Sequence, residues 1–552
     1  MEYIRSKEKI MMLLICAVVL AGIILRFDGW SNRSLEYDEV WTFQNYTNLP
    51  AAQIFTDLAT PNNHPLNTLF IQWCINDDNF LFYQLRLPVL LFGIATILLT
   101  ILLTWKAVKR KDSVLFAVSC VAFNGYLIHY SQTARGYSIQ TFFVLLAAAA
   151  LYWLSQHKNS IFYGAIFLLA AICSCLTITS GLIFICALCG AYLITNLRKT
   201  SFKTLLKENY VFLISALLFC LFAGIWYGMN YKNIAAGQSF GTSVVHPWLF
   251  LKFTAEMTTK LILFPFIIIH IAVLFIRGYP RKKISVFALV FLGLTFLSAL
   301  ATKAGFDRVY LPVVPISAIT AAMVLPDVLF HFRKEKLTTP LLLLLSVLII
   351  IPMNASRKSQ QKPDYIPLMQ EIIRDIGLDI FVNFSVHDTY PLRFNYPESV
   401  QDYLKRLEQP LLKGFLQVNS KGDISVYDPG SGSAVSVKTP SGPIQHLQSQ
   451  TGVGIELFAL EPLTLQTDPK GKVLLVTMAP HPQKMFSQYF QPMISAEQWY
   501  MANLFLASKL YSPAGERMES GAYLCPKATL TAEYYLNISR KTGLNWRFYV
   551  VK

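Results

Sequence analysis

Residues 125–142 read Gly-Tyr-Leu-Ile-His-Tyr-Ser-Gln-Thr-Ala-Arg-Gly-Tyr-Ser-Ile-Gln-Thr-Phe, and the polar knot from Tyr130 to Gly136 decides the fold. It separates an apolar run near 113–129 from another near 137–154. Each run is about as long as a bilayer is thick, so a link this short makes them consecutive membrane helices, with Arg135 held at one membrane face.

Further runs of similar length lie near 10–26, 81–105, 161–177, 180–196, 210–227, 257–276, 284–301, 310–330 and 339–353, about eleven in all. The chain is 54% hydrophobic and 14% charged over 552 residues, too apolar to solvate a globular surface. The expected fold is a polytopic α-helical membrane protein. The first run has no small-residue cleavage site before Arg26 and is read as a membrane helix. Aromatics near the run ends, among them Tyr126, Tyr130, Tyr137, Tyr152, Trp153 and Tyr227, are expected at headgroup level.

The net charge of +16 is spread over short loops and forms no basic stripe, which argues against nucleic acid as a partner. It follows orientation instead. With the N-terminus inside, Arg5, Lys7, Lys9, Lys106, Lys109, Arg110, Lys111, Lys158, Arg198, Lys199, Lys203, Lys207, Arg277, Arg281, Lys282, Lys283, Arg333, Lys334 and Lys336 all become cytoplasmic. The outer side then holds a long first loop (27–80), the knot at Arg135, a loop from Gly228 to Met257, the Thr302–Arg308 turn and everything after Pro352.

Composition changes near residue 355, with more Asp, Glu, Gln, Ser, Pro and Gly and no long apolar run. The expected division is 1–354, a transmembrane domain, and 355–552, a soluble α/β or α+β extracytoplasmic domain. Gly471–Met478 and Arg547–Val551 read as strands and Ile366–Ile376 as a helix. The nine cysteines, mostly in apolar runs, imply no disulfide framework.

The outer face carries the polar chemistry. Asp38 and Glu39 head a short amphipathic helix, either as helix-dipole partners or as a functional carboxylate pair. His64 sits in the turn Pro61-Asn-Asn-His-Pro-Leu-Asn67, and Arg86 in the opening turn of the second span, snorkelling or facing a polar cavity. Arg135 has the fork that suits a phosphate. Lys303, Asp307, Arg308 and Tyr310 form a comparable knot in which Asp307 pairs with Arg308 or Lys303, or serves the site. His246, with Tyr231, Lys232, Gln238 and Trp248, lies in the fourth outer loop, a mobile lid or a plain surface loop. Carboxylates, a His and several cations on one face suit transfer from a lipid-anchored phosphate to a hydroxyl. Two other classes are open: a transporter or flippase, which needs paired broken or charged mid-span helices, and a non-catalytic scaffold displaying the C-terminal domain.

The ordered set Tyr37-Asp38-Glu39, His64-Pro65-Leu66, Leu85-Arg86-Leu87-Pro88, Tyr130-Ser-Gln-Thr-Ala-Arg135-Gly-Tyr137 and Arg308-Val-Tyr310-Leu-Pro312-Val-Val-Pro315 resembles the GT-C glycosyltransferases. Within them it is similar to the bacterial family 39/83 type with the RgtA/B/C/D-like domain, relatives of protein O-mannosyltransferases and the lipid A aminoarabinose transferase. The resemblance spans about residues 10–330. It implies inverting transfer from a polyprenyl-phosphate sugar donor to a lipid, glycan or protein hydroxyl, outside a bacterial cytoplasmic membrane. It implies Asp38 as general base with Glu39 beside it, and Arg135, Arg308, His64 and Arg86 near the donor phosphate. Tyr310, Lys303 and His246 belong to a candidate substrate loop. Some relatives use a divalent metal and others none. The family's usual His-Pro-Pro is His64-Pro65-Leu66 here, and Val309 separates Arg308 from Tyr310.

Overall fold

The computed structural model describes residues 2–28, 30–31, 35, 37–75, 82–197, 207–237, 244–276, 281–302, 305–331, 338–348 and 350, together with the backbone of short strands beyond residue 379. The chain forms two compact units, one of residues 1–33 and 41–362, the other of residues 34–40 and 363–552.

The first unit is helical throughout its described residues. In chain order its helices are α1 (Glu2–Phe27), α2 (Tyr37–Tyr46, whose first residues fall in the other unit), α3 (Ala51–Ile54), α4 (Pro65–Cys74), α5 (Phe82–Val108), α6 (Lys111–Ala122), α7 (Gly125–Tyr130), α8 (Tyr137–Gln156), α9 (Ile161–Thr177) and α10 (Gly181–Leu197). There follow α11 (Tyr210–Met229), α12 (Tyr231–Gly237), α13 (Pro247–Lys260), α14 (Phe264–Phe275), α15 (Lys282–Thr302), α16 (Val313–His331) and α17 (Thr338–Leu348). Among the described residues, each of the eleven apolar runs is mostly helical. Six described helices are long and apolar enough to cross a membrane, or seven if the bent pair α13 and α14 is one span.

Two runs are broken where the sequence reading had them continuous. Run 113–129 divides into α6 and α7 at Phe123, because the Asn124 side chain accepts from Leu127 N–H at 3.0 Å and starts a new helix. Run 257–276 begins inside α13, which meets α14 at 105° across Lys260–Phe264, with Ile262 at φ 57°. This is the only such bent pair among the described residues, and a transporter of repeated halves would need a second.

Burial separates inner from outer helices. The span Asp307–Pro326 is 94% buried, against 28% for α11, whose Leu217, Leu221, Ile225 and Met229 are exposed. An apolar exposed face on a spanning helix is a lipid-facing face. The aromatics behave less simply. Tyr126, Tyr130 and Tyr137 are buried and thus not headgroup anchors, since each lies on the inner side of a helix beginning or ending at the knot.

Arg26, at the end of α1, is 1% exposed. It donates from Nη1 to Gly22 O (2.9 Å) and Ala122 O (3.0 Å), and from Nη2 to Val121 O (3.1 Å). The last carbonyls of a helix have no partner within it, so Arg26 acts as a cap for α6 supplied by another helix. The close approach needs Gly22, where an added Cβ would lie 2.7 Å from Ala122 Cβ.

The second unit holds two sheets. One has the order β1 (Ile380–Val382), β7 (Val473–Met478), β9 (Trp546–Val551), β6 (Gly454–Leu460), β5 (Gln445–Gln448), with β1/β7 and β9/β6 parallel and the other pairs antiparallel. The other is antiparallel, β4 (Ser433–Val437), β3 (Ile424–Asp428), β2 (Gly414–Val418), β8 (Ala522–Leu524), with Leu416 opposite Val426. The two strands read from sequence are β7 and β9; the helix read over Ile366–Ile376 lies outside the described residues.

Replacing Arg26 with Met should leave the α6 carbonyls without donors in a dry setting. The expected loss is about 1–3 kcal/mol, read as a lowered thermal midpoint of the detergent-solubilised protein.

Candidate functional site

Four of the residues singled out in sequence, His64, Arg135, Arg308 and Tyr310, converge at one end of the bundle, around the start of α8. The first loop delivers His64 there. Pro65 at the first helical position of α4 suits a fixed φ and missing N–H, and Asn63 holds the preceding turn. Its Nδ2 donates to Ile54 O (2.8 Å) and Asp57 O (2.7 Å), and its Oδ1 accepts from Thr68 Oγ1 at 3.2 Å.

His64 is 2% exposed, and its Nδ1 accepts from Gly136 N–H at 2.7 Å. That bond assigns the ring proton to Nε2. Burial, then the positive charges of Arg135 and Arg308, hold its pKa well below 6.5, with a backbone interaction at Pro61 acting the other way. The ring is neutral at neutral pH. An added Cβ at Gly136 would meet Thr177 Cγ2 at 2.8 Å, His64 Cβ at 3.1 Å and Nδ1 at 3.2 Å, so glycine is required for this approach.

Arg135 is buried and donates from Nη1 to Asn62 O (3.0 Å) and from Nη2 to Pro61 O (3.3 Å). Thr42 Oγ1 donates to the same Asn62 O at 2.9 Å and lies 3.5 Å from Arg135 Nη1. Arg135 therefore holds the loop that carries His64. Arg308 is half-buried, in the 3-10 turn Asp307–Tyr310, and its Nε donates to Tyr137 Oη at 2.9 Å. Its guanidinium lies 4.4 Å from the Phe306 ring centre. Tyr137 joins these groups: its ring meets that of His64 edge-on at 5.0 Å, and Arg135 lies 6.0 Å from its centre.

His64, Arg135, Arg308 and Tyr310 all line a cavity of about 270 Å³. Its remaining wall is largely apolar, including Ile178, Leu182, Ile183, Phe306 and Val309. Two cations facing apolar walls suit an amphiphile with an anionic head.

The other expected residues are not among the lining of this cavity. Asp38, half-buried, and Glu39, 1% exposed, occupy the first turn of α2, one turn before Thr42. Arg86 is fully buried outside the cavity lining and donates to Trp30 O at 3.0 Å. His246 is exposed, also outside the lining, and its Nδ1 accepts from Trp248 N–H at 3.3 Å, capping α13. Lys303 and Gln238 lie outside the described residues. Asp307 accepts from Tyr126 Oη at 2.8 Å and from the backbone N–H of Arg308 at 2.8 Å, and Lys260 Nζ lies at 3.5 Å. No group of three His, Cys, Asp or Glu suited to a metal ion occurs among the described residues.

Tyr137 and Gly136 were missed as site residues. Their sequence signal was adjacency to Arg135 in Arg-Gly-Tyr, masked because a tyrosine at a span end reads as an interface anchor.

No family model matches the chain, and no curated protein does. Solved structures similar in fold include ArnT from Cupriavidus metallidurans in the apo state, at 11% identity over 72% of this chain and 91% of that chain, TM-score 0.46. The same protein bound to undecaprenyl phosphate is 13% identical over 72% and 92%, TM-score 0.41. The Archaeoglobus fulgidus oligosaccharyltransferase in the apo form is 13% identical over 66% and 58%, TM-score 0.44.

Gly136→Ala is expected to displace His64 and cost about 1–3 kcal/mol, measured as a lower thermal midpoint. The depressed pKa of His64 also sets a pH dependence. As pH falls below 6.5 the unfolded chain binds a proton that the folded chain does not, so this stability is present above that value and lost below it. The thermal midpoint should fall between about pH 7.5 and about pH 5.5, and fall less in His64→Asn.

Proposed function

We propose that the chain is an inverting glycosyltransferase of the GT-C type, moving a sugar from a polyprenyl-phosphate donor to a hydroxyl acceptor at the outer face of a bacterial cytoplasmic membrane. The observation that carries this reading is the shared cavity of His64, Arg135, Arg308 and Tyr310, cationic at one part and apolar over the rest. The ordered motifs of the sequence support it independently. The donor's phosphate sits against Arg308 and Arg135, and its prenyl chain follows the apolar wall. Arg308 makes the more direct contact, because Arg135 is engaged with Asn62 O and Pro61 O. His64, held neutral, fixes the loop and adds no charge of its own.

In the reaction, Asp38 takes the acceptor's hydroxyl proton as the acceptor oxygen attacks the anomeric carbon. The bond from that carbon to the phosphate oxygen breaks, and the arginines neutralise the charge gained by the departing polyprenyl phosphate. Configuration inverts because attack and departure are on opposite sides. Glu39, the neighbour of Asp38, orients the acceptor. The acceptor is a hydroxyl of lipid, glycan or protein, in modification of the cell envelope.

Comparing envelope lipids and glycans by mass spectrometry from cells with and without the protein should reveal one missing sugar. With that donor and acceptor, Asp38→Asn should lower turnover about 10²–10⁴-fold at an unchanged thermal midpoint, and Arg308→Gln should lower it about 10²-fold. A wild-type rate in Asp38→Asn would remove the assignment of the base.

A further inference from the structure

A second cavity, larger at about 430 Å³, lies at the other end of the same helices. Helix α8 begins at the first cavity with Tyr137 and ends at the second with Gln156, and α10 runs from beside Ser180 to Asn196 in the same sense. A 20-residue helix is about 30 Å long, so the two cavities stand near opposite membrane faces.

The second cavity has a hydrocarbon wall and a charged rim. Leu103, Leu145, Leu151, Phe287 and Ile319 form the wall, and Lys158, Glu208 and Lys283 stand at the rim. Arg281 joins the rim by donating to the carbonyl of Met323, a lining residue, at 3.0 Å. Lys158 pairs with Glu208 at 2.5 Å, and Lys283 is exposed. Three cations against one carboxylate give the rim a net positive charge. A small soluble anion would leave the apolar wall unused, and a lipid without net charge would leave the cations unused. A basic pocket between membrane helices is suited to an anionic lipid headgroup, and in the inside-positive orientation this one faces the cytoplasmic leaflet.

We propose that this cavity binds one anionic glycerophospholipid of the surrounding bilayer, its phosphate at Lys158, Lys283 and Arg281 and an acyl chain along the Leu103 and Leu145 wall. The assignment stands apart from the transferase reading, since none of these residues lines the first cavity.

The test is native mass spectrometry of the purified full chain titrated with phosphatidylglycerol or phosphatidylcholine. One phosphatidylglycerol should remain bound per chain, about tenfold more tightly than phosphatidylcholine, and Lys158→Gln with Lys283→Gln should abolish that preference. Ala148 also lines the cavity, and Ala148→Phe should reduce retention of the lipid by occupying its space. Lys283→Gln alone, at an exposed position, should weaken the preference in a chain whose fold is undisturbed. Equal retention of the two lipids by wild type, or undiminished phosphatidylglycerol binding in all three variants, would overturn the proposal. So would a thermal shift with inorganic phosphate equal to that with phosphatidylglycerol, which would point to a soluble anion.

Discussion

Inside a bilayer no water is available to satisfy a polar group, so a charged side chain held within this bundle needs protein partners. The arginines show the consequence. Arg26 donates to the end of α6, Arg86 to Trp30 O, Arg135 to Pro61 O and Asn62 O, and Arg281 to Met323 O. For Arg26, Arg86 and Arg135 the guanidinium is directed at backbone carbonyls where a helix ends or a loop turns, while the carbonyl met by Arg281 lies within α16. A charge costly to hold among apolar helices becomes the connection that holds a break in the chain in place.

That pattern makes the candidate site possible. A cavity with chemistry needs irregular backbone, and irregular backbone at membrane depth needs partners. The turn at 60–64 receives them from Arg135, Thr42 and Thr68, while the bond from Gly136 N–H to His64 Nδ1 ties this loop to the first turn of α8. Tyr137 then spans from His64 to Arg308, bringing the start of α8 together with the turn before α16. Removal of one of these links moves several side chains, because the same few atoms serve as scaffold and as cavity lining.

The two ends of the bundle differ in how their charges are placed. At the His64 end, Arg135 is buried and engaged with carbonyls, and Arg308 lies over the Phe306 ring. At the far end Lys158 and Lys283 are exposed, on flexible stems at the rim of a wider cavity. A rigid fork suits a defined phosphate geometry, whereas lysines at a rim suit a headgroup whose position varies.

Helical character, the approximate spans and the grouping of His64, Arg135 and Arg308 at one end were legible in the sequence, because apolar length and the distribution of Lys and Arg are local, one-dimensional signals. The motif order carried the transferase reading in the same way. Tertiary structure alone decided the rest. It divided run 113–129 at Asn124, turned α13 against α14, buried Tyr126, Tyr130 and Tyr137, and gave Asp307 to Tyr126 and Lys260. It also made His64, Arg135, Arg308 and Tyr310 neighbours in one cavity while leaving Arg86 and His246 outside its lining. The physical reason is that composition along a chain records which solvent each segment meets, whereas the partner of a buried polar group comes from a segment far away in sequence, as with Tyr137 and Arg308.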